Sequence, residues 1–283
     1  MKKFGIDVSE FQGIVDWEKV KASGVKFAIL RCGFGENVES QDDSQFATNA
    51  AACERLGIPY GVYLYSYATD VAHATSEAAH VKRLVKGKIL TYPVFYDMED
   101  NDTLGTCTAS VIGDIADTFC NDIVKAGYKV GIYANLYWLN NILTDSRIDK
   151  WAKWVAQYYK ECQYKKPYVG WQYSSTGRVD GVEGNCDVNF FYKDYTNSDE
   201  EPPKNKTIDE LADEVIAGKW GIDKDRKEML TAAGYDYNAV QARVNQILSK
   251  KKTVDELAKE VIDGKWGVGR ERKEKLTAAG YDY

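Results

Sequence analysis

The chain has 283 residues, 44% of them hydrophobic and 13% aromatic, which is enough for one large domain with a sizeable core and a smaller appended part. Its 43 acidic and 37 basic residues give a net charge of -6, which argues against a nucleic-acid-binding protein and against a strongly cationic protein of membrane surfaces. The sequence has neither a run near the ~18 apolar residues of a membrane span nor the apolar segment of a secretion signal, so we expect a chain made in soluble form.

The sequence predicts strands that alternate with helices over about its first 195 residues. The predicted strands cover residues 3–8, 25–32, 58–68, 93–100, 129–135, 154–158, 168–173 and 187–192. The main helices predicted between them cover about 16–22, 43–56, 72–85 and 109–126, and a short helix follows the fifth strand. Such alternation implies parallel pairing with right-handed crossovers, and eight strands suffice to close a barrel. The last three strands, with little helix between them, break the regular pattern.

Polar and aromatic side chains lie near the C-terminal ends of several predicted strands. Asp7 ends the first strand, and Tyr133 and the pair Trp171-Gln172 lie near the ends of two later ones. The chemistry of α/β barrels collects at this end of the strands, so we expect these residues to converge. Asp187 is an exception because it opens its strand; either that boundary is wrong by a few residues or the last strand is short.

The fourth strand, Pro93 to Asp100, ends in an acidic cluster. Side chains alternate across a strand, so Asp97 and Glu99 point to the same side, with β-carbons on the order of 7 Å apart. Carboxylates this close raise each other's pKa, so that one can donate a proton while the other is ionised, as glycoside hydrolysis requires. A solvated acidic strand end or a metal site is an equally good interpretation of this segment alone.

Cysteine and histidine chemistry is disfavoured. The six cysteines show no CxxC or other metal-ligand spacing, so we expect reduced core thiols, with one disulfide pair as the alternative. The two histidines, His73 and His80, lie seven residues apart in an Ala-rich helical stretch, where we expect them on the helix surface rather than beside a nucleophile. We therefore predict no metal and no cofactor, which leaves carboxylate chemistry.

Six motifs occur in order along the barrel. They are Phe-Gly-Ile-Asp-Val-Ser from residue 4, Gly-Val-Tyr-Leu-Tyr from 61, Phe-Tyr-Asp-Met-Glu from 95, Gly-Ile-Tyr from 131, Trp-Gln-Tyr-Ser from 171 and Cys-Asp-Val-Asn from 186. Together they resemble glycoside hydrolase family 25, the muramidase family of many phage lysins. The resemblance implies an irregular barrel over residues 1–195, with eight strands and about five main helices. Leu64 departs from it, because relatives often have His there.

The resemblance also implies an activity and a set of residues. The activity is hydrolysis of the β-1,4 bond between N-acetylmuramic acid and N-acetylglucosamine in peptidoglycan. Glu99 is similar to the general acid of the family, and Asp97, Asp7 and Asp187 to the carboxylates around it. The substrate's acetamido group, oriented by an aspartate, is one possible nucleophile, and inversion by an activated water is the competing route.

Strand-end aromatics offer broad apolar faces to pyranose rings. We therefore predict that the sugar groove is lined by Tyr63, Tyr65, Tyr133 and Trp171, with Gln172 beside them. Packing in the barrel core is the alternative for all four aromatics. We favour the groove for Tyr65 and Trp171 only.

The tail after the barrel is a linker followed by a repeat. Residues 196–206 are polar, charged and Pro-containing, as linkers are. Residues 207–237 recur at 253–283 with eight differences in 31 positions. Each copy opens as a capped amphipathic helix, and a second helix begins near Asp225 or Glu271. The first copy continues through a third helix to Leu248, so we divide the tail into repeats 207–248 and 253–283.

These units resemble the seventh cell-wall-binding repeat family of phage lysins, which implies small three-helix bundles that bind a peptidoglycan fragment. Trp220, Tyr235 and Trp266 are the candidate binding residues, although bundle core is the favoured interpretation of the two tryptophans. The second copy stops before its third helix. We expect its apolar stripe to be covered by the first repeat or by a second chain through oligomerisation, or to lack a segment removed from the sequence.

We therefore expect an endolysin-type lysozyme that is made in the cytoplasm and acts on the wall after release, with peptidoglycan as its partner. A non-catalytic wall-binding protein on a degenerate barrel and a chitin-type glycosidase are the alternatives.

Overall fold

The computed structural model describes residues 2–196, 206–220, 222, 226–227, 230, 235–250, 254–278 and 281. The chain divides into two compact units, Met1–Lys204 and Asn205–Tyr283. This division falls within the segment 196–206 that the composition marks as a linker. Among the described residues, no helix is both long enough and apolar enough to cross a membrane.

The first unit is a closed eight-stranded barrel in which each strand pairs with its neighbours in chain order. Strands β1 to β7 run parallel, whereas β8 is antiparallel to both β7 and β1. The strands are β1 Lys3–Val8, β2 Ala28–Phe34, β3 Tyr60–Tyr65, β4 Val94–Asp97, β5 Val130–Asn135, β6 Ala152–Ala156, β7 Gly170–Gly177 and β8 Cys186–Phe191. The predicted barrel is confirmed, and the expectation of parallel pairing is wrong for β8.

Helices lie between the strands of the first part of the barrel. They are α1 Trp17–Ala22, α2 Phe46–Leu56, α3 Val71–Leu84, α4 Ala109–Lys125 and α5 Leu136–Asn141. The predicted caps are present: the Asp16 carboxylate accepts a hydrogen bond from the Lys19 amide at 3.1 Å, and Gly57 ends α2 at φ 65°. The left-handed conformation at Gly57 suits a residue without a Cβ.

Large aromatic rings fill the barrel interior, and small residues on neighbouring strands make room for them. A Cβ on Gly5 would lie 2.4 Å from the Phe27 ring, and one on Gly170 would lie 2.4 Å from the Phe191 ring. Trp154 and Phe95 pack beside Phe191, with ring centres 6.0 and 5.8 Å from it. The barrel is therefore a packed core beneath its mouth, not a channel.

The histidine prediction is half wrong, and the prediction of reduced core thiols is confirmed for the four buried cysteines, whereas Cys107 and Cys162 are half-buried. His80 on α3 is fully buried, and its ring nitrogens lie 2.8 Å from an Asp42 carboxylate oxygen and 3.1 Å from the Gly35 carbonyl oxygen. Helical periodicity locates a residue on a helix but does not reveal a partner 38 residues away. All six cysteines are free thiols.

The second unit contains helices α6 Ile208–Ile216, α7 Tyr237–Lys250, α8 Val254–Ile262 and α9 Gly269–Ala278. In the first repeat, the predicted capping box joins Thr207 and Glu210 at the start of α6. The sequence predicts an apolar stripe on the first helix of each copy, and the stripe of the first copy is buried. The core of this repeat consists of Leu211, Ala212, Val215, Leu230, Val240 and Val244.

The second repeat buries much less of its apolar stripe. Helix α8 contributes no fully buried side chain, and Ile262 is 83% exposed. Leu257 and Val261 are half-buried, whereas Leu276 on α9 is buried. The predicted start of the first repeat's second helix, at Asp225, lies outside the described residues, and α9 begins at Gly269, two residues before the predicted Glu271.

Candidate active site

A cavity of about 510 Å³ opens at the C-terminal ends of the parallel strands. Five carboxylates line it, and four of them are those predicted from sequence: Asp7, Asp97, Glu99 and Asp187. Predicted neighbours that also line it are Tyr63, Tyr65, Tyr133 and Gln172. The fold therefore brings these residues from six different strands or strand ends to one site.

Asp187 reaches this cavity because β8 runs backwards. In the antiparallel pairing of β8 with β1, Asp187 lies directly opposite Asp7. The N-terminal end of β8 therefore lies at the same end of the barrel as the C-terminal end of β1. The exception noted in the sequence is explained by strand direction, since β8 begins at Cys186 and the predicted start was wrong by only one residue.

Asp7 is a buried carboxyl with two amide donors. Its Oδ2 accepts hydrogen bonds from Gln172 Nε2 at 3.0 Å and from Asn189 Nδ2 at 2.7 Å. Burial first, and then the Asp187 charge, raise the pKa of Asp7 to about 8, although both amide bonds oppose the rise. Burial also raises the pKa of Asp187 to about 6. The two carboxyls face each other across a strand pair, so near neutral pH they hold about one proton between them.

A chain of oriented hydrogen bonds leads from two tyrosines to Asp7. Tyr133 Oη and Tyr158 Oη both donate to Gln172 Oε1, at 3.0 and 3.1 Å. Because that oxygen accepts, the amide nitrogen of Gln172 must face Asp7 and donate to it. On the other side, Trp154 Nε1 donates to Asn189 Oδ1 at 2.8 Å, which fixes the second amide in the same way.

Asp97 ends β4 and is almost fully buried, with 4% of its surface exposed. Its Oδ1 is buried and has no hydrogen-bond partner in the structure. Burial, followed by the charges of Glu99 and Asp7, raises the pKa of Asp97 well above its usual value. An ionised oxygen without a partner would be costly to bury, so geometry and electrostatics both favour the protonated form.

Glu99 lies two residues beyond the end of β4, in the loop rather than in the strand predicted to residue 100. The β-strand period continues nevertheless, because Asp97 and Glu99 line the cavity while Met98 is buried. Glu99 Oε2 accepts hydrogen bonds from the backbone N and from Nδ2 of Asn135, both at 2.9 Å. Burial raises the pKa of Glu99, and the two Asn135 bonds oppose the rise.

The predicted aromatics divide into residues that line the cavity and one that does not. Tyr63 stands edge-on to Trp154, with ring centres 6.2 Å apart, and Tyr65 Oη donates to Asp100 Oδ2 at 3.1 Å. Trp171 is absent from the lining: its indole nitrogen donates to the Gln157 carbonyl oxygen at 2.8 Å, and its ring packs 5.6 Å from Tyr173. Since neighbours on a strand point to opposite sides, Gln172 in the cavity requires Trp171 outside it.

Comparison with known proteins identifies the family of the barrel. The family model described as "Glycosyl hydrolases family 25" matches residues 6–182, more than half of the chain. The chain belongs to glycosyl hydrolase family 25. Asp7, Asp97 and Glu99 lie within the matched range, and Asp187 lies just beyond it.

Individual relatives of this family 25 chain are lysozymes and an autolysin. Lysozyme M1 of Streptomyces globisporus is 31% identical over 203 residues, which cover 66% of this chain and 67% of that protein. The autolytic lysozyme of Clostridium acetobutylicum is 29% identical over 188 residues, which cover 66% of this chain and 55% of that protein. The structure of the modular autolysin LytC from Streptococcus pneumoniae, in complex with a synthetic peptidoglycan ligand, matches with a TM-score of 0.62 and 32% identity, covering 68% of this chain and 47% of that one. The chain thus spans about half the length of the latter two relatives.

The CW_7 repeat model matches the tail at residues 209–248 and 255–283. Trp220 and Tyr235 meet edge-on with ring centres 5.9 Å apart, and Trp266 and Tyr281 repeat this arrangement at 5.9 Å. The indole of each tryptophan donates to a glutamate of the preceding helix at 3.1 Å. All four rings are half-buried.

Sequence reasoning about the family 25 cavity missed a second group of residues. Trp154 and Tyr158 line the cavity, and so does Arg31, the one cation among the described lining residues. Arg31 Nε donates to Asp43 Oδ2 at 2.7 Å, and Nη2 donates to Glu10 Oε1 at 2.6 Å. Arg31 lies in predicted strand two, so its place in an apolar strand was the available signal. Among the described residues, no group of three or more His, Cys, Asp or Glu is arranged to bind a metal ion.

Proposed function

We propose that this family 25 chain is a muramidase that hydrolyses the β-1,4 bond between N-acetylmuramic acid and N-acetylglucosamine in peptidoglycan. The observation that supports this most directly is the set of four carboxyls in one cavity, each with its pKa raised. Glycosidases need one carboxylic acid that still holds its proton near neutral pH beside others that stabilise the developing positive charge. Lysozyme relatives and a barrel of this family support the choice of substrate.

Glu99 is the proton donor in this proposal. It is more exposed than Asp97, lines the cavity, and has a raised pKa, so it can hold a proton and still reach the leaving oxygen. Both bonds from Asn135 fall on Oε2, so we assign the proton to Oε1. Asn135 also accepts from the Trp138 amide at the start of α5, which fixes the position of the residue that orients the acid.

Asp7, Asp97 and Asp187 surround the reacting sugar, and the negative charge beside it is the one that Asp7 and Asp187 share. An oxocarbenium-like transition state lowers the cost of ionising these carboxyls, because a positive charge then lies beside them. The amide chain through Gln172 fixes the Asp7 carboxylate without neutralising it. Either a water or the acetamido oxygen of the substrate can serve as the nucleophile at such a site. The anomeric form of the first product, measured by NMR during hydrolysis, distinguishes inversion by water from the retaining route.

Substitution of Glu99 by glutamine tests the assignment of the acid. Glu99→Gln keeps the shape and can keep an acceptor for Asn135, but it has no proton to donate, so wall clearing should fall by ~100-fold or more. Glu161→Gln changes an exposed glutamate and is the matched control, with activity expected to match that of the parent. A Glu99→Gln chain with an unchanged melting temperature and most of its activity would contradict the assignment.

The CW_7 repeats, in this proposal, hold the enzyme on the wall and raise its effective concentration there. We further propose that the chain is made in the cytoplasm and acts after release. Sedimentation of the inactive Glu99→Gln chain with purified walls separates binding from hydrolysis. Soluble disaccharide-peptide should displace it if the repeats recognise a peptidoglycan fragment, and failure of the chain to sediment with walls would contradict the targeting role. Reducing-end analysis of the parent's products then separates a muramidase from a chitin-type enzyme.

A further inference from the structure

One large apolar side chain at the cavity mouth is unusually exposed. Phe11 lies in the short helical turn Glu10–Gln12 that follows β1, lines the cavity, and is 79% exposed. The catalytic proposal gives this ring no role, since the carboxyls lie on other residues. Isolated exposed aromatics are common on proteins, so the position of Phe11 matters only if the surrounding structure fixes it.

The loop that bears Phe11 is fixed from beneath. The backbone N of Glu10 donates to Asp43 Oδ2 at 2.9 Å, and Arg31 bonds the side chains of both acids. The guanidinium carbon of Arg31 lies 4.7 Å from the centre of the Phe11 ring. One side of the ring therefore rests on a buried, doubly bonded arginine, and the 79% exposure must lie mainly on the other side.

The order of the strands defines the direction in which a glycan can cross the mouth. In a closed barrel of eight strands in chain order, β4 and β8 lie opposite each other. Glu99 follows β4 and Asp187 lies in β8, so a chain cleaved between these carboxyls must run from the β2–β3 side to the β6 side. Aromatic rings of the lining lie at both of these places: the exposed Phe11 and Tyr67 and the half-buried Phe34 near β2 and β3, and the exposed Tyr158 after β6.

The rings on the β2–β3 side are grouped around the Arg31 guanidinium, which both Phe11 and Phe34 contact. Phe34 lies 5.8 Å from the Arg31 guanidinium carbon, and its ring centre is 6.2 Å from that of Tyr67. Because Glu10 and Asp43 already bond Arg31, this surface presents aromatic faces rather than an unpaired positive charge. It therefore suits the apolar face of a pyranose ring better than the carboxylate of a peptide stem.

We propose that Phe11, Phe34 and Tyr67 form a distal subsite, here named the rim platform, which binds a sugar of the same glycan strand beyond the two that flank the cleaved bond. This inference rests on the proposed muramidase function. It predicts a preference for long glycan strands that the carboxyl site alone would not give. Phe11, as the most exposed ring, contributes the outermost contact.

The test compares hydrolysis of a short and a long substrate by variants of the full chain. The substrates are a tetrasaccharide and an octasaccharide of alternating N-acetylglucosamine and N-acetylmuramic acid. Phe11→Ala should lower kcat/KM on the octasaccharide by ~5-fold, mainly through KM, and on the tetrasaccharide by less than ~2-fold, since one aromatic contact is lost. Phe11→Trp should keep the preference for length. Ile14→Ala is the matched control, because Ile14 is 86% exposed and close in sequence but does not line the cavity.

Each outcome supports or overturns the rim platform. A loss confined to the octasaccharide, with Ile14→Ala equal to the parent, supports it. Equal losses on both substrates, or no loss with either, overturn it while leaving the muramidase proposal intact. A parent chain that cleaves neither substrate overturns the muramidase proposal and this inference with it.

Discussion

Glu77 is a fully buried carboxyl outside the cavity lining, and its protonation should contribute to the pH dependence of stability. It lies on α3, and its Oε2 accepts from Ser66 Oγ at 2.8 Å and from the Tyr96 hydroxyl. Its Oε1 accepts from the Tyr67 backbone N at 2.8 Å. These partners belong to β4 and to the segment just after β3, so Glu77 connects the two strand ends that present Asp97 and the tyrosines.

Burial raises the pKa of Glu77 from its ordinary 4.5 to about 7, although its hydrogen bonds oppose the rise. The folded state therefore binds the proton more tightly than the unfolded state does. The stabilisation is complete below pH 4.5 and is lost as pH rises through 7. With ~1.4 kcal/mol for each pKa unit, this group lowers the free energy of unfolding by ~2.5 kcal/mol between pH 5 and pH 8.

Glu77→Gln removes this titration while keeping the shape of the side chain. The amide oxygen can accept from the Tyr67 N, and the amide nitrogen can donate to the hydroxyls of Ser66 and Tyr96, which rotate to accept. Urea unfolding of parent and variant at pH 5 and pH 8 should therefore show that the parent loses ~2.5 kcal/mol more than the variant over this interval. The other raised carboxyls are present in both proteins, so their contributions cancel in the difference.

The pH dependence of an exposed glutamate variant provides the control. Glu161→Gln also removes one glutamate but at an exposed position, so its pH dependence should follow that of the parent. If Glu77→Gln instead shows the parent's full pH dependence, Glu77 does not gain a proton on folding and the argument from its burial is wrong.

Two further predictions concern the amide chain and the tail. Tyr133→Phe or Tyr158→Phe alone should lower the stability little, because the other tyrosine still donates to Gln172 Oε1. The double variant leaves that buried oxygen without a donor and should lose ~1–3 kcal/mol of stability. A double-mutant cycle of melting and kcat/KM measures this loss. Additive losses would argue against a shared acceptor. In the tail, Ile216→Ala should lower the free energy of unfolding by ~1–2 kcal/mol, because Ile216 packs on the first repeat's core. The equivalent Ile262→Ala should lower it by less than ~0.5 kcal/mol, because Ile262 is 83% exposed. Equal costs in thermal unfolding would indicate that Ile262 is covered in solution, and the mass in solution then tests cover by a second chain.

Local periodicity was enough to locate the carboxyls but not the hydrogen bonds that shift their pKa values. The two-residue period brought Asp97 and Glu99 to one side, even though the strand ends at Asp97. Nothing near Asp7 in the sequence indicates its donors, since Gln172 is 165 residues away and Asn189 is 182 residues away. Closure of the barrel alone brings these amides to the carboxyl, so its hydrogen-bonded state could not be predicted from spacing.

Trp171 is the predicted groove residue that does not line the cavity. Trp171 and Gln172 are adjacent in β7, so alternation allows only one of them to face the cavity. The polar neighbour faces inward because Asp7 and two tyrosine hydroxyls bond it there. Trp154, one strand earlier, provides the indole in the lining, and both tryptophans are β-strand aromatics that composition cannot tell apart.

The direction of β8 follows from the observed strand bounds but not from the predicted ones, which leave residues 174–186 between the last two strands. A parallel pair needs a crossover of about a dozen residues or more, usually helical, whereas only residues 178–185 separate β7 from β8. An antiparallel β8 follows, and with it the end of the barrel at which its first residues lie. Had β8 run parallel to β1, Asp187 would lie at the far end of the barrel from Asp7, and the cavity would hold no coupled pair. The reversal of one strand is therefore the feature of the fold that completes the proposed catalytic site.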